Sequence, residues 1–314
     1  MGNNSKVKVG LLGVGLNTYW GQFEGLLSRL QNLQNEIGKR LTGLRAEVID
    51  VGLIDSPEKA SSAFQKLQSE NVEIVFVSIL TYALSSTVLP VVRDLKKTVI
   101  LLNIQPVSAI NYKEFNQLPD RNSMTGEWLA HCQACSLPEL ACVFNRSEIY
   151  YDVVSGYLDE AYVWKKIQDW VDAAYVVKHL RENRLGILGH YYCGMLDVYT
   201  DVTLQSSVFG THIQMLEMCE LKACRDEVTE MEIQEKRKIF TSVFDVVSSC
   251  SEEELNRAAC TSVALDKLVK KYNLGALAYY YEGCPGNDYE NIITSVIAGN
   301  TLLTGAGIPV AGEC

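Results

Sequence analysis

Two glutamates stand where chemistry is done. Tyr279-Tyr280-Tyr281-Glu282 brings a carboxylate to the end of an apolar run, and Gly305-Ala-Gly-Ile-Pro-Val-Ala-Gly312-Glu313 brings a second to the end of another. Carboxylates at the ends of neighbouring elements can share a divalent metal or work as a paired acid and base. After Glu282, Cys284-Pro285-Gly286-Asn287-Asp288 reads as a turn capping a helix near Asp288–Ala298. In Gly189-His190-Tyr191-Tyr192-Cys193-Gly194, His190 is either an acid–base group or a structural hydrogen-bonding residue. The four histidines of the chain form no His-x-His or Glu-x-x-His cluster.

The first turn, Gly10-Leu-Leu-Gly13-Val-Gly15-Leu-Asn17-Thr18, superficially offers a dinucleotide loop, but Thr18 sits where the third glycine is required. Asn17-Thr18-Tyr19-Trp20 instead crowds the turn with polar and aromatic groups. A sugar site uses such groups, because hydroxyls need side-chain partners and C–H faces need rings; a packed aromatic turn uses them too. Asn103 and Gln105 are polar where an apolar run has just stopped, as ligand donors or as loop caps.

These residues need a scaffold that gathers turns at one edge. Val7–Val14, Ala46–Val51, Val72–Ile79 and Thr98–Ile104 are apolar, β-branched runs separated by helix-like stretches, the rhythm of a parallel sheet of βαβ units. In the first connector, Gln22 to Leu41, apolar residues recur by threes and fours and make one helical stripe. The pattern loosens from Gln105 to Val153, and a long helix is predicted over Ala161–Asn183. It then restarts, with strands predicted at Arg184–Gly189, His212–Met218 and Leu274–Tyr281 and helices at Glu227–Val247 and Glu252–Tyr272. The expectation is an α/β protein with two consecutive open parallel-sheet domains of Rossmann-like or flavodoxin-like type. Their spans are 1–165 and 166–304, and 305–314 opens a further domain. In such sheets the ligand crevice lies beyond the carboxyl ends of the strands, where all the residues above fall.

Composition narrows the class. The chain has 314 residues, 47% of them hydrophobic and 21% charged, which is globular usage. A net charge of −10, with Lys and Arg scattered, argues against nucleic acid as a partner. The start carries no signal-like apolar core, and no run of about 18 apolar residues predicts a membrane helix, so a cytoplasmic protein is expected. The ten cysteines are expected as reduced, mostly buried thiols. Cys132-Gln-Ala-Cys135 has the spacing of half a zinc or redox motif, without a second pair at ligand spacing.

Taken together, these turns resemble the L-arabinose isomerase and L-fucose isomerase superfamily. The likeness runs nearly the whole chain: Gly15-Leu-Asn17-Thr-Tyr19-Trp20-Gly21, where the family commonly has Gln at the place of Asn17; Thr81-Tyr-Ala-Leu and the run from Leu95 to Gln105; Leu185-Gly-Ile-Leu-Gly-His190; and Tyr281-Glu282 with Ala311-Gly312-Glu313. The resemblance implies aldose–ketose isomerisation through an enediol. A divalent ion, usually Mn2+, would hold two adjacent sugar oxygens while Glu282 and Glu313 ligate it and shuttle the proton. Asn17, Tyr19, Gln105 and His190 would contact a pentose or deoxyhexose, and the chain would assemble as a trimer or hexamer with sites between subunits.

The sequence departs from the family after Glu313. The family completes its metal site with two later histidines and carries a third, mainly β domain, whereas this sequence ends at Cys314. The expectation is a shortened and inactive form. The alternative is a non-catalytic sugar-binding or regulatory protein; a nicotinamide oxidoreductase stands third.

Overall fold

The computed structural model describes residues 6–282, 285–287 and 289–312, and the chain divides into two compact units between Lys178 and His179. The first holds a five-stranded parallel sheet of β1 (Val7–Val14), β2 (Ala46–Ile54), β3 (Ile74–Ile79), β4 (Thr98–Gln105) and β5 (Tyr151–Tyr157). Its spatial order is β2-β1-β3-β4-β5. Helices α1 (Leu26–Thr42), α2 (Pro57–Ser69) and α3 (Ser85–Leu95) make the crossovers. Three more, α4 (Tyr112–Phe115), α5 (Arg121–Leu129) and α6 (Leu137–Arg146), carry the chain from β4 to β5, and α7 (Ala161–Glu182) leaves β5.

The period of two along each strand divides the core by face. Val7, Val9 and Leu11 of β1 join Ile74 and Phe76 of β3 under α1 and α7, whose Ile37, Val163, Ile167 and Val171 are buried there. Leu12 and Val14 join Val75, Val77 and Ile79 on the other face, under Leu67 of α2, Val88 and Val91 of α3 and Phe144 of α6. Each such side chain withdrawn from water favours the fold by about 1.5–3 kcal/mol before entropy is counted. All of β3 is buried, as the middle strand of a doubly covered sheet must be.

The second unit holds a four-stranded parallel sheet of β6 (Arg184–Gly189), β7 (His212–Leu216), β8 (Ala276–Tyr280) and β9 (Val310–Gly312), in the order β7-β6-β8-β9. Helix α8 (Val202–Phe209) joins β6 to β7, and α9 (Met218–Asp226), α10 (Glu230–Val243) and α11 (Glu252–Tyr272) lie between β7 and β8. Helices α12 (Glu290–Ile293) and α13 (Ile297–Gly305) lead to β9. Leu188, Leu216 and Leu277 of the sheet pack with Leu265 and Leu268 of α11 and Leu303 of α13.

The structure differs from the sequence reading at several points. The first connector becomes helical only at Leu26, because Gly25 at its N-cap takes a left-handed conformation, φ 79°. The loose region from Gln105 to Val153 contains three helices and the start of the edge strand β5. The helix expected over Glu227–Val247 is present but shorter, Glu230–Val243. It starts after Thr229, which opens α10 with a reciprocal cap: Glu232 N–H donates to Thr229 Oγ1 at 3.3 Å and Thr229 N–H to Glu232 Oε2 at 2.8 Å. The unit boundary falls inside α7 where the sequence placed it at 165, and Val310–Gly312 is paired with β8. Among the described residues the cysteines are mostly not buried: Cys142, Cys193, Cys219 and Cys250 are exposed, and Cys132 is bonded to Cys135. Among the described residues no helix is long and apolar enough to cross a membrane.

Candidate functional site

In an open parallel sheet a crevice forms where neighbouring strands send their connections to opposite sides. The first sheet has that reversal between β1 and β3, and the second between β6 and β8. The turns after those four strands are therefore the candidate sites, one in each unit.

In the first unit, Asn17 opens a single 3-10 turn, Asn17–Tyr19, with its carbonyl accepting from Trp20 N–H at 3.2 Å and its side chain exposed. Tyr19 is half-buried, edge-on to Phe23 with ring centres 5.9 Å apart, and burial pushes its phenol up. Trp20 is committed to the protein, since its Nε1–H donates to Asp55 Oδ2 at 2.7 Å while Lys59 pairs with the same carboxylate at 2.8 Å. A Cβ on Gly13 would run into the Gln34 side chain and stand 2.6 Å from Leu80 Cδ1. That glycine, inside β1, is used for close packing against Gln34 and Leu80.

Across the crevice, Tyr82 donates to Glu139 Oε2 at 3.1 Å, and Ser85 N–H donates to Glu139 Oε1 at 2.9 Å. Burial works against the Glu139 carboxylate, but these donors outweigh it and hold its pKa below the usual range. The Tyr82 phenol is pushed up by Glu139 and, more weakly, by burial and the nearby Tyr19. Gln105, at the end of β4, donates to Asn103 Oδ1 at 3.3 Å, and Asn103 donates on to Ser155 Oγ at 3.1 Å. Gln105 and Asn103 thus bind one another along the strand ends, one strand away from the reversal.

In the second unit, Gly189 ends β6 with φ 87°, and a Cβ there would meet the Tyr280 carbonyl, so only glycine brings the two strand ends this close. The next residue, His190, donates its N–H to Tyr280 O at 3.0 Å. Its Nδ1 lies 2.8 Å from the Tyr191 carbonyl, which can only accept; the neutral ring therefore keeps its proton on Nδ1 and presents Nε2 as a lone pair.

The His190 ring stands edge-on to Tyr280, with centres 5.3 Å apart, and Tyr192 lies over Tyr280 at 4.4 Å. The Tyr280 hydroxyl donates to Glu282 Oε2 at 3.3 Å. Partial burial first, then the Glu282 carboxylate and Tyr192, push the phenol up to about 12, so at neutral pH it is a donor. Asn300 Nδ2 donates to the Tyr279 hydroxyl at 2.9 Å and Asn287 Nδ2 to that of Tyr281 at 3.5 Å, while the Tyr281 ring lies tilted against His190, with centres 6.1 Å apart.

No family model matches this chain, and neither does any of the curated proteins.

The structure brings His190 and Glu282 to one crevice, joined through Tyr280, and Asn17 and Tyr19 to another. Glu313 lies outside the described residues, as do Cys284 and Asp288. Among the described residues no three His, Cys, Asp or Glu side chains are grouped to hold a metal ion. Tyr82, Glu139, Tyr192 and Tyr280 were not singled out by the sequence. The available signal for Tyr280 was its place two residues before Glu282, the spacing that puts extended residues on one face.

Proposed function

We propose that the turns at the carboxyl ends of β6 and β8 form the sugar-handling part of an aldose–ketose isomerase site of the L-arabinose and L-fucose isomerase type. The observation that carries this reading is Tyr280 standing between His190 and Glu282 at the point where strand order reverses. Rings for C–H faces, a lone pair, a fixed phenol donor and a carboxylate are what a polyhydroxylated ligand needs. The order β2-β1-β3-β4-β5 supports the Rossmann-like, flavodoxin-type reading of the first unit.

Aldose–ketose isomerisation moves one proton between adjacent carbons and another between their oxygens. Glu282, exposed at the rim, is the group to take the carbon-bound proton; Tyr280 steadies the carboxylate by donation, and His190 Nε2 accepts from a sugar hydroxyl. Manganese would lower the barrier by polarising the sugar carbonyl. The described donors do not fit it: Glu282 is a lone carboxylate and no three-ligand group accompanies it, so no step here runs through a metal. Asn17, Tyr19 and Gln105 belong to the same proposal as sugar contacts, in their own or a neighbouring subunit's site.

Calorimetry against L-arabinose, L-fucose and other pentoses, hexoses and deoxysugars, with and without Mn2+, tests the reading. Binding that Glu282→Gln weakens at least about tenfold, the effect of losing a charged hydrogen-bond partner, is the expected result. No binding by any sugar, or binding indifferent to Glu282, overturns it. The lone carboxylate also favours a second reading, a non-catalytic sugar-binding protein. Metal-independent binding without ketose formation selects that one.

A further inference from the structure

Cys132 and Cys135 form a disulfide whose chain segment is fastened to the turn after β3, at the crevice of the first unit. We propose that this bond is a thiol–disulfide exchange site, open to small thiols and dithiols, and that its state sets how firmly the turn 80–85 is held. The inference is independent of the sugar reading.

The fastening is dense. Thr81 Oγ1–H donates to Leu129 O at 2.8 Å, and Gln133 Nε2 to Leu80 O at 2.9 Å and Ala130 O at 2.8 Å. Ala83 N–H donates to Ser136 Oγ at 2.6 Å, and Ser85 N–H to Glu139 Oε1 at 2.9 Å. Leu80 N–H also donates to Val14 O of β1 at 3.2 Å, but the bonds above tie the turn to the segment 129–139, and the disulfide lies in its middle. Gln133 is fully buried, yet its Oε1 has no hydrogen-bond partner. Water would satisfy that atom, so the closed clamp carries an unpaired acceptor that opening relieves.

The two sulfurs are unequal. Cys132 is 6% exposed, whereas Cys135 is open to solvent and directly precedes Ser136, the N-cap of α6. The Ser136 hydroxyl is turned to Ala83 and does not cap the helix, so the residue next to Cys135 is itself part of the fastening to the turn. A cross-link between residues only three apart in sequence closes a short loop and removes little chain entropy, so its value as a staple is small.

The exchange balances as follows. A thiolate RS− attacks Cys135 Sγ; the S–S bond breaks, and Cys132 leaves with the electron pair and takes a proton from water. A second RS− attacks the mixed disulfide, releasing RS–SR and leaving Cys135 as a thiol after protonation. The protein disulfide is reduced and two thiols are oxidised; a small disulfide drives the reverse.

The full chain is equilibrated with oxidised glutathione or with dithiothreitol, alkylated and mapped by peptide mass spectrometry, and amide hydrogen exchange is followed in parallel. Expected are no label on Cys132 and Cys135 in the oxidised sample, label on both after reduction with Cys135 leading, and exchange at the Ala83 and Ser85 amides about tenfold faster once reduced. The β3 amides of Val75–Val77 should not change. Cys135→Ser should show the fast exchange with or without thiol, and if that variant does not fold, the reduced wild type decides alone. Both cysteines labelling under oxidising conditions, or exchange at Ala83 and Ser85 that ignores reduction, overturns the proposal.

Discussion

The Tyr280 hydroxyl donates to Glu282 Oε2 at 3.3 Å, and partial burial, this carboxylate and the Tyr192 ring together push the phenol up to about 12. Subtracting the alkaline absorbance titration of Tyr280→Phe from that of the wild type isolates this group. Its midpoint should stand near 12, and Glu282→Gln should bring it down toward the ordinary tyrosine value, because a phenolate forms more easily without an anion beside it. The folded pKa is raised, so its stabilising effect is complete below the unfolded value and is lost as pH climbs through the folded one. Wild type should therefore lose more stability than Tyr280→Phe on going from pH 10 toward 12. A wild-type midpoint at the ordinary value would show that the contact does not form in solution.

Glu139 has the opposite sign. Its folded pKa lies below the ordinary glutamate value, so the stability it contributes is present above that value and fades as pH falls through the folded one. Glu139→Gln keeps the shape and removes the charge. Urea midpoints should show it less stable than wild type by about 1 kcal/mol at neutral pH, with the gap closing in acid. A gap of equal size at both pH values would mean that geometry, not charge, is at work.

The strands β1 to β4 were legible because strands covered on both faces must be continuously apolar, as in Val7–Val14 and Ile74–Ile79. The edge strand β5 was hidden because Asp152 and Ser155, one exposed on each face, interrupt its apolar pattern. Three residues of β9 carry too little pattern to be read. The turns were visible as places where apolar runs stop, and so His190, Glu282, Asn17 and Tyr19 could be named. Their partners could not: Tyr82 and Glu139 are 57 residues apart, and only the crossover through β4 and α4–α6 brings them together.

Gly13 illustrates what a glycine motif conceals. Gly13→Ala should cost about 1–3 kcal/mol, the range for forcing an extra carbon into a packed core, because its Cβ would displace Gln34 and Leu80. Gln34 has little room to yield, being 2% exposed and donating to Asp50 Oδ1 at 2.6 Å. Gly21→Ala, where a Cβ meets nothing within 4 Å, is the control and should leave the denaturation midpoint unchanged. Equal effects from the two substitutions would show that the contacts with Gln34 and Leu80 are not the source of the cost.

Assembly, part of the proposed function, has a surface to test. Helix α8 buries none of its residues: Leu204 is 59% exposed, Val208 65% and Phe209 49%, beside Met215 of the edge strand β7 at 54%. Residues 202–209 carry no charge, in a chain whose net charge is −10, so this patch lets two copies meet without opposing carboxylates. The edge of β7 beside it also lacks the lysine or proline that commonly blunts an exposed strand. Sedimentation of the wild type should show concentration-dependent association, and Leu204→Glu with Val208→Glu should reduce it to the monomer with unchanged far-ultraviolet dichroism. Association that survives both charges would put the interface elsewhere, and a wild type that stays monomeric at high concentration would remove assembly from the proposal altogether.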